Sequence, residues 1–128
     1  MRRLMLAVCA LAMAGPAAAQ EWPSAPEYDV LLTSYAIQPH VLKLKAGEPV
    51  RLRFVNNSNE PHRFAAGAFF ARAEVRGGDR ELVRRGEVAV PPLSERTVAL
   101  VPKAGRYAMQ GAPLAQRLLG MHGRIIVE

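Results

Sequence analysis

Beyond residue 20, the side chains with the widest chemical repertoire are three histidines, His40, His62 and His122, and two methionines, Met109 and Met121. An imidazole can carry a proton or ligate a metal, and a thioether is soft and polarizable. Thiol chemistry is missing from the same stretch. The single cysteine, Cys9, lies in the N-terminal segment, which excludes disulfide scaffolds, cysteine-based zinc sites, iron–sulfur clusters and thiol nucleophiles for the rest of the chain. The carboxylates Glu60, Glu74, Asp79, Glu81 and Glu87 have no spacing that establishes an acid–base pair, and Ser34, Ser58 and Ser94 sit in no nucleophile motif. There is no Gly-rich phosphate loop and no Gly-x-Ser-x-Gly elbow. The enzyme reading is therefore the weakest.

Elements announced by the hydrophobic pattern must position these donors. The chain has 128 residues, half of them hydrophobic, with ten Gly and ten Pro, which suits one folded domain rather than a disordered segment. Residues 1–19 read as a cleaved signal peptide: Arg2 and Arg3 precede the apolar run Leu4 to Ala14, and Ala17-x-Ala19 offers a small-residue cleavage site before Gln20. That run is too short to span a bilayer, which takes about 20 residues. Residues 20–128 carry 15 Lys+Arg against 11 Asp+Glu, a net charge of +4. No basic run with interleaved aromatics accompanies that charge, so nucleic acid is not an expected partner.

Residues 20–27, with Pro23 and Pro26, form a lead-in to a domain over 28–128. There the periodicity is mostly two. Tyr28 to Tyr35 is β-rich. Leu42, Leu44 and Ala46 alternate with Lys43 and Lys45, and Val50, Leu52 and Phe54 alternate with Arg51 and Arg53. Gly47-Glu48-Pro49 between them predicts a hairpin with one apolar and one basic face. Asn56 to Pro61 is a polar loop leading to His62-Arg63-Phe64, and Phe69 to Val75 predicts a short helix ended by Gly77-Gly78-Asp79. Val88 and Val90, Val98 and Leu100, Tyr107 and Met109, and Ile125 to Val127 mark further strands. Seven or eight short strands with Gly/Pro punctuation predict an all-β sandwich. Its expected core is Leu42, Leu44, Val50, Leu52, Phe54, Val98, Leu100, Tyr107, Ile125 and Val127.

Four pieces of Ile37 to Glu128 resemble the cupredoxins, the plastocyanin-like family of Greek-key copper proteins. They are Ile37-x-Pro39-x-x-Leu42-x-Leu44-Lys45-Ala46-Gly47-Glu48-Pro49-Val50, Asn56-Asn57 with His62-x-Phe64, Pro102-x-x-Gly105-x-Tyr107, and Gly120-Met121-x-Gly123-x-Ile125-x-Val127. The resemblance implies a Greek-key sandwich whose copper would be held by two His, one Cys thiolate and a distant Met. It matches His62 to the first ligand histidine and Met121 to the axial methionine. The ligand Cys, four residues after the Tyr, becomes Gly111, and the second His falls near Gln116. Two of the four ligands are thus replaced, so a type 1 blue copper site is closed on chemical grounds.

The remaining donors each have a rival structural role. Strand directions bring His40, His62, Met109, Met121 and His122 toward one pole of the sandwich. Met109 shares the inward parity of Tyr107 and is expected in the core, and Met121 also suits an apolar gap. His122 follows Met121 by one residue and in a strand points to the opposite face. His40 precedes its strand and is expected to be exposed, and Gln116 offers only a carbonyl oxygen. The expectation is an exported, periplasmic, non-enzymatic domain that binds copper weakly or transiently at a non-blue site through His62, with Met121 and with His40 or His122 joining. The alternative is a metal-free interaction module. Its basic surface of Arg72, Arg76, Arg80, Arg84, Arg85 and Arg96 would suit an acidic protein partner.

Overall fold

The computed structural model describes residues 22–112 and 121–128. The signal segment and Gln116 lie outside the described residues. Among those described there are eleven strands: β1 (Glu27–Leu32), β2 (Ile37–Gln38), β3 (Val41–Leu44), β4 (Val50–Asn56), β5 (His62–Ala65), β6 (Glu74–Val75), β7 (Val83–Arg84), β8 (Glu87–Val90), β9 (Ser94–Val101), β10 (Gly105–Ala112) and β11 (His122–Val127). One α-helix, α1 (Gly67–Arg72), and two short 3-10 turns complete the set. The strands form a five-stranded sheet ordered β2-β1-β4-β9-β6 and a six-stranded sheet ordered β3-β11-β10-β5-β8-β7. This is the all-β sandwich with one short helix that the sequence predicts. Three strands are two-residue edge pieces, and eight run four residues or more.

Alternation explains the core. β4 alternates buried and half-buried residues along its whole length, turning Val50, Leu52 and Phe54 inward. All ten expected core residues are buried. They are joined by Val30, Leu32, Ile37, Phe64, Phe69, Phe70, Val88, Val90, Met109 and Met121 in one continuous cluster. Phe54 and Phe64 meet across the two sheets with ring centroids 4.6 Å apart. Phe69 lies edge-on to Tyr107 at 5.5 Å, which fastens α1 to the second sheet.

Two local expectations are corrected. β3 and β4 are not a hairpin. β3 pairs in parallel with β11, while β4 pairs with β1 and β9 in the other sheet. The turn at 45–49 therefore carries the chain across the core, and its amides bond to distant carbonyls: Ala46 N–H to Glu128 O at 2.8 Å and Gly47 N–H to Pro102 O at 3.0 Å. Two period-two runs joined by a turn fit either arrangement, because both bury the same alternate residues. The outer face of β4 is also not simply basic. Arg51 faces Glu27 at 3.4 Å, and Arg53 lies between Asp29 at 3.3 Å and Glu95. Hydrogen bonding and charge from Glu95, with Asp29 adding to them, raise the pKa of Arg53 above its ordinary value.

The helix is shorter than predicted and starts earlier. Ala73 is already extended (φ −74°, ψ 152°), and Glu74–Val75 pairs with Val101 and Leu100 of β9. Pairing there satisfies the edge of β9, which another helical turn would leave open.

Candidate metal centre

His62 opens β5, and the alternation of that strand turns His62 and Phe64 inward while Arg63 faces out. His62 is only 1 % exposed. Neither of its ring nitrogens has a hydrogen-bond partner among the described residues. Leaving a buried polar group unpaired costs about 1–3 kcal/mol. The resemblance singled out this histidine, but nothing in its local sequence revealed that it is buried and unsatisfied.

The loop before His62 is tied down by Asn56, itself 1 % exposed. Its side-chain amide donates to Glu60 O at 2.7 Å, Val90 O at 3.0 Å and Pro91 O at 3.2 Å, sharing two N–H groups among three carbonyls. Its carbonyl oxygen accepts from the Ser58 backbone N–H at 3.0 Å and the Ser58 hydroxyl at 2.7 Å. The end of β4, the turn after β8 and the entry to β5 are thereby locked together, and this fixes where His62 begins its strand. A surface cavity of about 250 Å³ borders the histidine, lined also by Pro61, Arg63, Val90 and Pro91–Pro92.

Met121 stands just before β11 and is fully buried. Its carbonyl accepts a hydrogen bond from Gly111 N–H at 2.6 Å. Gly111 in turn pairs with Phe64 of β5. Phe64, Gly111 and Met121 thus form one row across the sheet, and His62 is the next inward position along β5. Gly111 is the position the resemblance gives to the ligand cysteine. A Cβ built there would lie 2.8 Å from Met121 Cβ and 3.1 Å from both its Sδ and its Cε.

The four candidate ligands differ in exposure. Register places all of them at the same pole, but His40 and His122 are exposed while His62 and Met121 face the core. Strand parity separates His122 from Met121. His40 instead contacts the rim: its Nδ1 lies 3.2 Å from His122 O, and its carbonyl accepts from Arg124 N–H at 2.8 Å. Gly123 permits that approach, since a Cβ there would lie 2.3 Å from His40 O and 2.7 Å from Met109 Cε. Among the described residues no group of three His, Cys, Asp or Glu is arranged to hold a metal ion. Met109 is buried in the core, as its parity predicts.

Cupredoxins generally bind copper, and the donors present decide what kind of copper site this chain could form. They do not fit a thiolate site, because no Cys occurs beyond Cys9. The buried donors described at this pole are one imidazole, His62, without a hydrogen-bond partner among the described residues, and one thioether, Met121, both of them neutral ligand types that suit a soft cation.

A greater cavity, about 400 Å³, lies on the outer face of the second sheet, with Arg63, Arg84, Arg85, Glu81 and Glu87 around it. It contains none of the His or Met donors. No helix among the described residues is long and apolar enough to cross a membrane.

The order of strands, the two-sheet core and the His62–Met121 pole define a cupredoxin-type sandwich. The chain belongs to the cupredoxin-like domain family, whose profile matches residues 3–127. Solved structures of similar fold include auracyanin B, 21% identical, with a TM-score of 0.57 over 81% of this chain and 89% of that one. A copper binding protein in its apo form is 20% identical, with a TM-score of 0.53 over 80% of this chain and 86% of the other. The McoA multicopper oxidase of Aquifex aeolicus is 16% identical at a TM-score of 0.64, and 82% of this chain is covered. The match spans 30% of that oxidase. At these identities the likeness is one of fold. No curated protein matches the chain in sequence.

Proposed function

We propose that this protein is an exported, non-enzymatic copper-handling domain that binds copper weakly or transiently at a non-blue site, with His62 as its anchor and Met121 as the second donor. The observation that carries this reading is the imidazole of His62, buried and without a partner among the described residues, at a pole shared with a buried thioether. Copper bound there would gain a nitrogen and a soft sulfur ligand, a set that both oxidation states accept without a charge-transfer thiolate. The protein's own part is to hold the two buried donors at one pole, on elements that flank β10, and to limit water around them. The Asn56 clamp fixes the histidine. His40 and His122, on the exposed rim, are outside this pair. Export rests on the signal-like residues 1–19.

Competition against a chelator of known affinity tests the reading. The chain without residues 1–19 should take up copper, and His62→Ala should weaken uptake more than His40→Ala or His122→Ala. Only neutral imidazole ligates, so binding should weaken in acid. If the wild type holds copper no better than His62→Ala, the copper reading fails. The second reading then takes its place: a metal-free module whose basic surface of Arg72, Arg76, Arg80, Arg84, Arg85 and Arg96 meets an acidic protein partner.

A further inference from the structure

The outer face of the second sheet carries a hollow that copper binding does not use. On β8, Glu87 and Ala89 turn outward while Val88 and Val90 are buried. Register sets Ala89 beside Arg63 of β5 and Glu87 beside Arg84 of β7. The short side chain of Ala89 leaves room among these longer neighbours. The resulting cavity of about 400 Å³ is bordered by three guanidinium groups, those of Arg63, Arg84 and Arg85, by the carboxylates of Glu81 and Glu87, and by Leu82.

Arg85 stands where its residue type is least expected. Arg85 and Gly86 form the two-residue loop between β7 and β8, with φ of 55° and 75°. Such a loop favours Asn or Asp before its glycine, and an arginine there carries backbone strain that the turn itself does not require. The loop is also anchored. Gly86 O accepts from Ala66 N–H at 3.0 Å, and a Cβ on Gly86 would lie 2.5 Å from Gly67 Cα, so the hairpin tip is seated against the start of α1. Arg84 is steadied by its Nε, which donates to Glu81 O at 3.3 Å and leaves the terminal nitrogens for another acceptor. Arg63 is only loosely paired, 3.9 Å from Glu87. The Arg85 side chain has no hydrogen bond or ion pair among the described residues.

We propose that this hollow is a binding site for a small organic acid, one carboxylate on a compact apolar body. Guanidinium forks hold carboxylate oxygens through charge-assisted hydrogen bonds, and Arg84 and Arg85 have donors to give. Leu82 and Ala89 offer the body of the ligand an apolar floor, and the volume lies within the usual range for small-molecule sites, about 300–1,000 Å³. Glu81 and Glu87 limit the charge. Three guanidinium groups against two carboxylates leave one positive charge, which a monoanion neutralises and a dianion exceeds, meeting repulsion from both glutamates. Arg63 follows His62 in sequence but faces the opposite side of the sheet, so this site is separate from the copper pole and does not rest on it.

Titration of isotope-labelled protein with phenylacetate tests the proposal, read from arginine Nε–H and backbone amide resonances. Phenylacetate should shift Arg84, Arg85 and Ala89 saturably and leave Arg96, on the other sheet, unmoved. Phenethyl alcohol, the same body without the charge, and inorganic phosphate, the charge without the body, should each bind about tenfold more weakly or worse. Arg85→Asn suits the left-handed turn and so keeps the hairpin, yet it should lower phenylacetate affinity by about tenfold or more. His62→Ala should leave that affinity unchanged. Unsaturable shifts spread over all the arginines, or wild-type affinity in Arg85→Asn, overturn the proposal. Equal binding of phosphate, or preference for an oligo-aspartate peptide, overturns it as well.

Discussion

Two buried polar side chains at one pole of this sandwich stand in opposite condition. Asn56 has its amide and carbonyl engaged in five directions, and His62 has both nitrogens without partners among the described residues. Their substitutions should diverge accordingly. Asn56→Ala strands several buried backbone groups and should lower the stability of the metal-free protein by about 2–3 kcal/mol in urea denaturation. His62→Phe removes unsatisfied nitrogens and should be neutral or stabilising in the same assay, provided the ring fits. A loss above about 2 kcal/mol would show instead that the imidazole is already satisfied. Gly111 supports a spectroscopic expectation. Protein loaded with Cu(II) should show no intense absorption near ~600 nm, since that band requires a Cu–thiolate bond. At this scale the sequence was half legible. Family resemblance pointed to His62 and Met121, but Arg63 and the polar loop before them fit a surface histidine equally well. The contact between Gly111 and Met121 depends on a pairing across strands that no local spacing encodes.

At the scale of elements, alternation predicted the core faces and left the partners undetermined. Each expected core residue from Leu42 to Val127 is buried, because a period of two fixes which side chains turn inward. The same period is silent on which strand lies alongside, so it suggests β3 and β4 as neighbours where they belong to different sheets. Helix α1 was located to within two or three residues, and its end was missed because Glu74–Val75 is claimed by the edge of β9. The junction of β3 and β11 is tight at Gly123, which holds the His40 carbonyl close. Gly123→Ala should therefore cost about 1–3 kcal/mol, the usual penalty for overpacking. Thermal unfolding should record it as a drop of several degrees in Tm. An unchanged Tm would mean that the segment at His40 yields without loss.

For the molecule as a whole, net charge and pattern define a basic domain of one sandwich, with its candidate chemistry gathered at one end. The strand order also sets a schedule. β11 lies between β10 and β3, bonded antiparallel to one and parallel to the other. Glu128 N–H then bonds to Leu44 O at 3.1 Å beside the sheet-crossing turn. Of all the strands in this sandwich, it is the one a ribosome makes last. Until it emerges, β3 has no partner in its sheet and one edge of β10 stays unpaired. Non-local pairing of this kind folds slowly, on a scale of about milliseconds to seconds. A nascent chain shortened by residues 122–128 should accordingly remain protease-sensitive while the complete domain resists digestion. The domain therefore stays incomplete for nearly the whole of its synthesis, its second sheet closing only when its last strand is made.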